Sequence, residues 1–371
     1  MKLRVAGVVL ALGILTPILT VAQAPGKKPP PAPQAKFKAI WEPVNVKEDV
    51  ELTSVHFTSA DEGWVSGGTN AISGGVILHT ADGGATWETQ LGEPGSADRA
   101  YNYLQFLDAK TGFAVQSTGS GDHRLLRTTD GKTWAPAGGV AQHRSDYQFV
   151  SPEIGFVAAG SQILRTSDAG KKWSVAYDCR VKAEVQGLTR EVACGFSRLF
   201  FLDASSGFAI GRQVGDAGFP FARTSDGGTT WSLSLILPGE EGKEGALHFL
   251  DPSTGLLRTL NGKIFRTSDG GRTWSGVPGE IGGKPDFEFA DSEVGWAARY
   301  RTVIYTSDGG RRWVSREVSF PTSVNASSLP ARDRGYVTGE HGMVYRYRVV
   351  PMAYTAKGML PAAVIAAPSS K

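Results

Sequence analysis

The sequence predicts an all-β chain, a seven-bladed β-propeller of four-stranded antiparallel blades whose ring is closed by the N-terminal strand. Three observations lead there. Glycine accounts for 47 of the 371 residues, beside 20 prolines and without a collagen-like period, so tight turns must be numerous. A phrase at 223–231, RTSDGGTTW, returns in near-copies at 79–87, 127–134, 165–173, 266–274 and 305–313. A second phrase, an acidic turn followed by Gly and usually an aromatic residue, precedes each copy.

Residues 1–24 stand outside that pattern. MKLR gives a positive start, VAGVVLALGILTPILTVA an apolar run, and AQA at 22–24 a small-residue cleavage site, so a secretory signal peptide is expected. The alternative is an uncleaved anchor, because residues 5–22 nearly suffice to span a bilayer; Pro17, the threonines and AQA favour cleavage. No later stretch is long and apolar enough to cross, so no transmembrane span is expected after cleavage. The expected location is exported: periplasm, thylakoid lumen in a photosynthetic cell, or extracellular. Residues 25–38, PGKKPPPAPQAKFK, read as an extended Pro-rich linker. The propeller is expected over 39–350 and a flexible C-terminal tail over 351–371.

The upstream phrases are DEGW at 61–64, DAKTGF at 108–113, PEIGF at 152–156, DASSGF at 203–208, DPSTGL at 251–256, DSEVGW at 291–296 and DRGY at 333–336. Each period reads as four short strands. In the fifth these are GALHFLD, GLLRTL, KIFRTS and RTWSGV, separated by turn residues. Four antiparallel strands repeated every 40–45 residues or so make a propeller blade. There are seven upstream phrases but six Asp turns, and the seventh unit ends at 342–350 without a Trp-bearing fourth strand. AIWEPVNV at 39–46 supplies one, with Trp41 matching the Trp after each Asp turn. Closure by the chain's own start removes the exposed edges of the ring.

The repeated turn is Thr-x-Asp-x-Gly-x-x-Trp. Its aspartates are Asp82, Asp130, Asp168, Asp226, Asp269 and Asp308; its tryptophans are Trp87, Trp134, Trp173, Trp231, Trp274 and Trp313. An Asp here accepts bonds from backbone amides about two residues on, Gly84, Gly170, Gly228, Gly271 and Gly310 supply positive φ, and the Trp packs between strands. The second copy is one residue short and must turn differently. No calcium-loop pattern is present, and six turns around a ring are too far apart to act on one substrate atom, so a structural staple is expected.

TSDGGxTW resembles the Asp box, or bacterial neuraminidase repeat. Paired with the D-x-x-x-G-W/F phrase, it is similar over most of 39–346 to the photosystem II stability/assembly factor family. That resemblance implies a seven-bladed, non-enzymatic, protein-binding assembly factor acting outside the cytoplasmic membrane or in the thylakoid lumen. It further implies an arginine patch that engages a client protein.

Two faces follow from the fold. The Asp turns join the third and fourth strands of each blade. The connections between second and third strands, and between blades, emerge on the opposite face, where binding is expected. There the sequence gathers Arg124, Arg212, Arg258, Arg299, Arg301 and His341, with His123, Arg144, Arg180, Arg190 and Arg198 nearby. Such a patch suits acidic peptides, carboxylates or lipid phosphates; the plain alternative is solvated arginines paired with Asp216, Glu240, Glu241 and Glu340. A separate ring, Arg127, Arg165, Arg223, Arg266 and Arg346 with His79 and Tyr305, is expected to stack on Trp or Tyr and to bond neighbouring strands. Cys179 and Cys194 fall in the binding-face insertion, and an exported chain permits their disulfide.

Without the first 24 residues, 37 basic residues face 36 acidic ones, which argues against general nucleic-acid binding. The expected partner is a membrane-complex subunit or another protein client, bound by a monomer without metal or other cofactor. A sialidase-like glycosidase is the main alternative, but it needs three clamping arginines, an acid and a Tyr–Glu nucleophile in six blades, and no such set is picked out. A cell-surface interaction protein with the linker as stalk is the third reading.

Overall fold

The structure, a computed structural model, describes residues 37–69, 73–92, 99–139, 146–185, 188–240, 242–280, 287–315, 318–355 and 358–361. The expected signal peptide and all but the last two residues of the expected linker lie outside them. Apart from a 3-10 turn at Gly215–Ala217, the regular elements are β-strands.

The N-terminal strand β1 (Phe37–Val44) is followed by the first blade, β2 (Leu52–Phe57), β3 (Gly63–Thr69), β4 (Ser73–Thr80) and β5 (Glu88–Leu91). The second blade is β6 (Arg99–Phe106), β7 (Gly112–Thr118), β8 (His123–Thr128) and β9 (Ala135–Gly139). The third is β10 (Asp146–Phe149), β11 (Gly155–Ala159), β12 (Gln162–Thr166) and β13 (Ser174–Asp178). A hairpin, β14 (Arg180–Val185) and β15 (Leu188–Ala193), comes before the fourth blade, β16 (Phe196–Phe201), β17 (Gly207–Gly211), β18 (Phe219–Thr224) and β19 (Ser232–Ile236). The fifth is β20 (Glu244–Phe249), β21 (Gly255–Thr259), β22 (Lys263–Thr267) and β23 (Ser275–Glu280); the sixth is β24 (Phe287–Phe289), β25 (Gly295–Arg299), β26 (Thr302–Thr306) and β27 (Val314–Ser315). The seventh joins β28 (Val324–Ala331), β29 (Arg334–Gly339) and β30 (Val344–Thr355) to β1, in the order β1-β30-β29-β28. Neighbouring strands within each blade are antiparallel.

Closure by β1 keeps the register of the other blades. Glu42 lies opposite Arg346 as Glu88 lies opposite His79, so Trp41 occupies the place of Trp87. Its ring stacks on Trp296 of the sixth blade at 5.2 Å. The strand begins at Phe37, so the last two residues of the expected linker belong to the sheet. At the other terminus, β30 runs on to Thr355 and pairs with β31 (Gly358–Pro361), so the first part of the expected flexible tail is a hairpin. Backbone pairing with β1 and β31 gives those residues hydrogen-bond partners.

The upstream phrase now has a mechanical cause. In the first four blades its aromatic residue, at the start of the second strand, stacks on the Phe ending the first strand of the next blade. Trp64 meets Phe106 at 3.6 Å, Phe113 meets Phe149 at 3.6 Å, Phe156 meets Phe201 at 4.0 Å and Phe208 meets Phe249 at 3.5 Å. The Gly before it makes room within the blade: a methyl on Gly207 would lie 2.3 Å from Phe201 Cε1. The Trp after the Asp turn then meets the same Phe edge-on, as Trp231 does Phe201 at 6.0 Å and Trp274 does Phe249 at 6.2 Å. Phe106, Phe149, Phe201 and Phe249 are thus each held by their own blade and by the preceding one, and the core is built of such contacts between blades.

Candidate functional site

The six Asp turns are occupied internally. Thr80 Oγ1 donates to Asp82 Oδ1 at 2.8 Å and accepts from the buried Gly84 amide at 2.8 Å. Thr86 gives Asp82 both its amide and its hydroxyl, at 2.8 and 2.6 Å. Asp168, Asp226, Asp269 and Asp308 repeat the Thr bond and the amide bond from four residues on. The carboxylate reaches four residues ahead rather than the expected two, because the Thr hydroxyl takes the nearer Gly amide. In the short copy Asp130 does bind the amides of Lys132 and Thr133, at 2.8 Å each, and the local difference lies there. The five named glycines all have positive φ; at Gly228 it is 78°, and a methyl there would lie 2.6 Å from Phe156 Cε1.

Each Asp turn also docks on the upstream turn of its own blade. The amide of Gly83 donates to Asp61 O at 2.8 Å, Gly131 to Lys110 O at 2.9 Å, Gly227 to Ser205 O at 2.9 Å and Gly309 to Glu293 O at 2.9 Å. The two repeated phrases are therefore two halves of one locked edge. Bonds from Thr86, Thr230 and Thr273 hold Asp82, Asp226 and Asp269 down at about 2. Among the described residues no group of three or more His, Cys, Asp or Glu is arranged around a metal position.

The arginine ring of the third strands joins blades. Arg266 Nε donates to Gly309 O at 3.2 Å and Arg346 Nη1 to Gly83 O at 2.9 Å, each in the next Asp turn round the ring. Arg127 lies over Phe113 and Arg165 over Phe156, at 5.8 and 6.0 Å, so the stacking partners are phenylalanines rather than the expected Trp or Tyr. Phe113 and Phe156 open the second strands paired with these two third strands, and in the first blade His79 lies 4.8 Å from Trp64 as expected.

On the opposite face the predicted residues separate. Arg124, Arg212, Arg299 and Arg301 are exposed, on blades two, four and six. Arg258 is fully buried in β21 and offers nothing to solvent, which removes it from the patch. The cause is its strand: second strands are sandwiched between neighbouring blades, and every residue of β21 is buried. His341 is exposed and its Nδ1 lies 2.9 Å from Asp49. Arg180 pairs with Asp178 at 3.6 Å, and Glu240 pairs with Lys263 rather than with an arginine. Among the described residues no carboxylate forms an ion pair with Arg124, Arg212, Arg299 or Arg301; on the Asp-turn side Arg312, Arg332 and Arg346 are paired, while Arg272 and Arg311 donate to the backbone carbonyls of Asp269 and Asp308.

The densest point of this face is the turn Arg299–Tyr300–Arg301. Tyr300 has φ 48° and is 62% exposed. The turn is pinned from the next connection: Phe320 N donates to Arg301 O at 2.7 Å, Val324 N to Tyr300 O at 2.7 Å, and Arg301 Nε to Phe320 O at 2.7 Å. A shallow pocket of about 500 Å³ lies beside it, lined also by Thr302, Val318 and Ser319. The hairpin β14–β15 rises from the same face, closed at its base by the disulfide Cys179–Cys194 with both residues buried. Its base is tied to the third blade by Cys179 N to Ser161 O at 2.7 Å and Phe196 N to Gly160 O at 2.7 Å. Leu188, beside the hairpin tip, is 55% exposed.

The sequence reading missed the central channel. The residue before the inner Phe of each first strand lines it: His56, Gln105, Gln148, Phe200, His248 and Glu288, with Ser328 in the seventh blade. These positions also bind blades together. Gln105 exchanges two 2.8 Å bonds with the backbone of Phe149, and Gln148 does so with Phe201 at 2.9 and 2.7 Å. Burial lowers the imidazoles of His56 to about 4 and His248 to about 3. The cavity is about 450 Å³, with Tyr103, Tyr147, Asp146 and Arg198 nearer the arginine side. The x-Phe that recurs at the end of the first strand in blades one to six was the available signal.

No family model and no curated protein matches this chain. Its fold is similar to solved propellers. One is YCF48 bound to D1 peptide, at 18% identity over 83% of this chain and 94% of that one, with a TM-score of 0.58. YCF48 from Cyanidioschyzon merolae is 19% identical over 83% of this chain and 98% of that one, with a TM-score of 0.60. The GH74 xyloglucanase from Xanthomonas campestris is 14% identical over 87% of this chain and 55% of that one, with a TM-score of 0.55. At these identities the likeness is one of fold, and at that level the likeness to YCF48 agrees with the family resemblance of the repeated phrases.

Proposed function

We propose that this chain is an exported, non-catalytic, protein-binding propeller that serves as a scaffold or assembly factor for a membrane protein complex, and that it grips its client on the arginine face. The observation that carries the reading is that four exposed arginines of one face, Arg124, Arg212, Arg299 and Arg301, form no ion pair with a carboxylate among the described residues, whereas Arg312, Arg332 and Arg346 of the other face do. A guanidinium without a carboxylate partner keeps its bidentate fork for a ligand. Tyr300 adds an exposed ring between two of them, the residue types that anchor protein interfaces. The resemblance of the repeated phrases to the photosystem II stability/assembly factors, and a neighbour in fold solved with a bound peptide, support the same reading. The disulfide supports export.

The test is capture from detergent-solubilised native membranes, with the wild-type chain beside an Arg212→Glu/Arg299→Glu/Arg301→Glu variant of unchanged thermal stability. A membrane-complex subunit retained by the first and lost by the second is the expected result. Identical captures by both would remove the arginine face as the binding site.

A further inference from the structure

We propose that the cleft between the fourth and fifth blades, on the Asp-turn side, is a binding site for a small phosphate monoester. It lies on the face opposite the exposed arginines and does not depend on the client reading. The cleft holds about 430 Å³ and spans the seam: the fourth blade contributes Arg223, Ser225, Trp231 and Ser232, and the fifth contributes Pro252 and Arg272. Arg223 departs from its counterparts in the ring of third-strand arginines. Arg266 and Arg346 donate to carbonyls of the next Asp turn, and Arg127 and Arg165 lie over phenylalanines. Arg223 is half-buried and extends toward the corresponding turn, with Nη1 3.5 Å from where a methyl on Gly270 would sit. Among the described residues it makes no hydrogen bond and no ion pair.

The donors of this cleft define the ligand. Arg272 Nη1 donates to Asp269 O at 3.0 Å, which fixes its guanidinium at the rim while its other nitrogens stay available. No acidic residue lines the cleft. The carboxylates of the two adjoining Asp turns are engaged within their own turns, Asp226 by the hydroxyls of Thr224 and Thr230 at 2.8 and 2.6 Å, and Asp269 by those of Thr267 and Thr273 at 2.8 and 2.6 Å. Ser225 and Ser232 are exposed, and among the described residues their hydroxyls have no hydrogen-bond partner. Two guanidinium forks and two hydroxyls thus approach from two blades. A carboxylate offers two oxygens in one plane, whereas a phosphoryl group offers three in different directions and carries up to two charges, which matches donors spread in this way. The volume is in the range that holds a small organic molecule, larger than a phosphoryl group alone, so the rest of the ester lies against the indole of Trp231 and the ring of Pro252.

Titration calorimetry of the full chain in phosphate-free buffer tests this, with phenyl phosphate, inorganic phosphate and benzoate as probes. Phenyl phosphate is expected to bind with one site per chain and more tightly than inorganic phosphate, which lacks the ring that meets Trp231. Benzoate keeps the ring and loses the tetrahedral group, and is expected to bind at least about tenfold more weakly than phenyl phosphate. Arg272→Gln lies on the surface and is expected to weaken phenyl phosphate about tenfold, and Arg223→Gln with Arg272→Gln to abolish its binding. Arg311 holds the place of Arg272 at the next seam, where Arg266 is already bonded to Gly309 O, so Arg311→Gln is expected to bind like wild type. The thermal transition of each variant without ligand verifies the fold; if the double variant does not fold, Arg272→Gln and Arg311→Gln decide between them. The Arg212→Glu/Arg299→Glu/Arg301→Glu variant is expected to bind phenyl phosphate like wild type, which separates this site from the client face. Absence of phenyl phosphate binding, benzoate binding as tightly as phenyl phosphate, wild-type affinity in Arg272→Gln, or an equal loss in Arg311→Gln would overturn the proposal.

Discussion

Phe57 and Tyr336 lie face to face, ring centroids 3.4 Å apart and 3° from parallel, and through them the first blade rests on the last. Tyr336 is fully buried, and its hydroxyl donates to Ala60 O at 2.7 Å across the same seam. Tyr336→Phe keeps the stack and loses that bond, so a loss of about 1 kcal/mol is expected. Tyr336→Ala opens a cavity at the closure and is expected to cost about 3–5 kcal/mol. Denaturant unfolding of both variants checks this; equal losses would mean that the ring stack contributes little.

The Thr of the Asp turn is expected to matter more than its place in the motif suggests. Thr224 is buried, accepts from the Gly228 amide at 2.9 Å and donates to Asp226 at 2.8 Å. Thr224→Val keeps the shape and strands a buried amide, at a cost of about 1–3 kcal/mol. Thr224→Ser retains both bonds and is expected to fall well below that loss in the same unfolding measurement.

Stability is expected to decline in mild acid because of the channel, well before the Asp turns respond. The folded imidazoles of His56 and His248 stay neutral down to about 4 and about 3, against an ordinary 6.5. Below 6.5 the unfolded chain binds more protons than the folded one, so stability rises with pH in that range and is lost as pH falls. Each imidazole contributes a slope of about 1.4 kcal/mol per pH unit at full effect. The Asp turns act lower: Asp82, Asp226 and Asp269 contribute above their ordinary 3.8 and lose that contribution as pH falls toward about 2. His248→Gln is expected to reduce the slope between pH 6 and 4 by about half, read from unfolding midpoints across pH.

Breaking the disulfide is expected to loosen the face without opening the ring. Cys179 and Cys194 are 15 residues apart, and closing such a loop stabilises by about 3 kcal/mol. In the Cys179→Ala/Cys194→Ala variant, proteolysis should cut first between 180 and 193 while the blades stay protected. Unchanged resistance of that segment would assign the hairpin's order to its contacts at Val181 and Val192 instead.

Much of this fold was legible in the sequence, and the reason is repetition. Seven upstream phrases against six Asp turns left one blade short of a strand, and Trp41 identified the strand that fills it. Burial was less legible. Arg258 reads as a turn-proximal arginine, yet second strands are covered on both faces and lose the period-two pattern that separates inside from outside. The channel residues were hidden for a related reason: they vary from His to Gln, Phe and Glu because what recurs is the place, one residue before the inner Phe, and in the seventh blade Ser328 holds it before Leu329. The stacking of Trp64 on Phe106, or of Phe208 on Phe249, crosses from blade to blade, and sequence order within one period does not reveal it. The exposed arginines were found, but their spacing round the rim, with only Arg299 and Arg301 sharing a turn, needed the ring.

The central claim is that the client sits on the arginine face. Site-specific photo-crosslinking tests it most directly, with a photoreactive residue at Tyr300 in one version and at Thr229, in an Asp turn on the other face, in a second. Both positions are exposed, so neither replacement disturbs the core. Illumination with native membranes is expected to yield a crosslinked client from position 300 and none from position 229. A client crosslinked from 229 and absent from 300 would contradict the account and place recognition on the face that the Asp turns build.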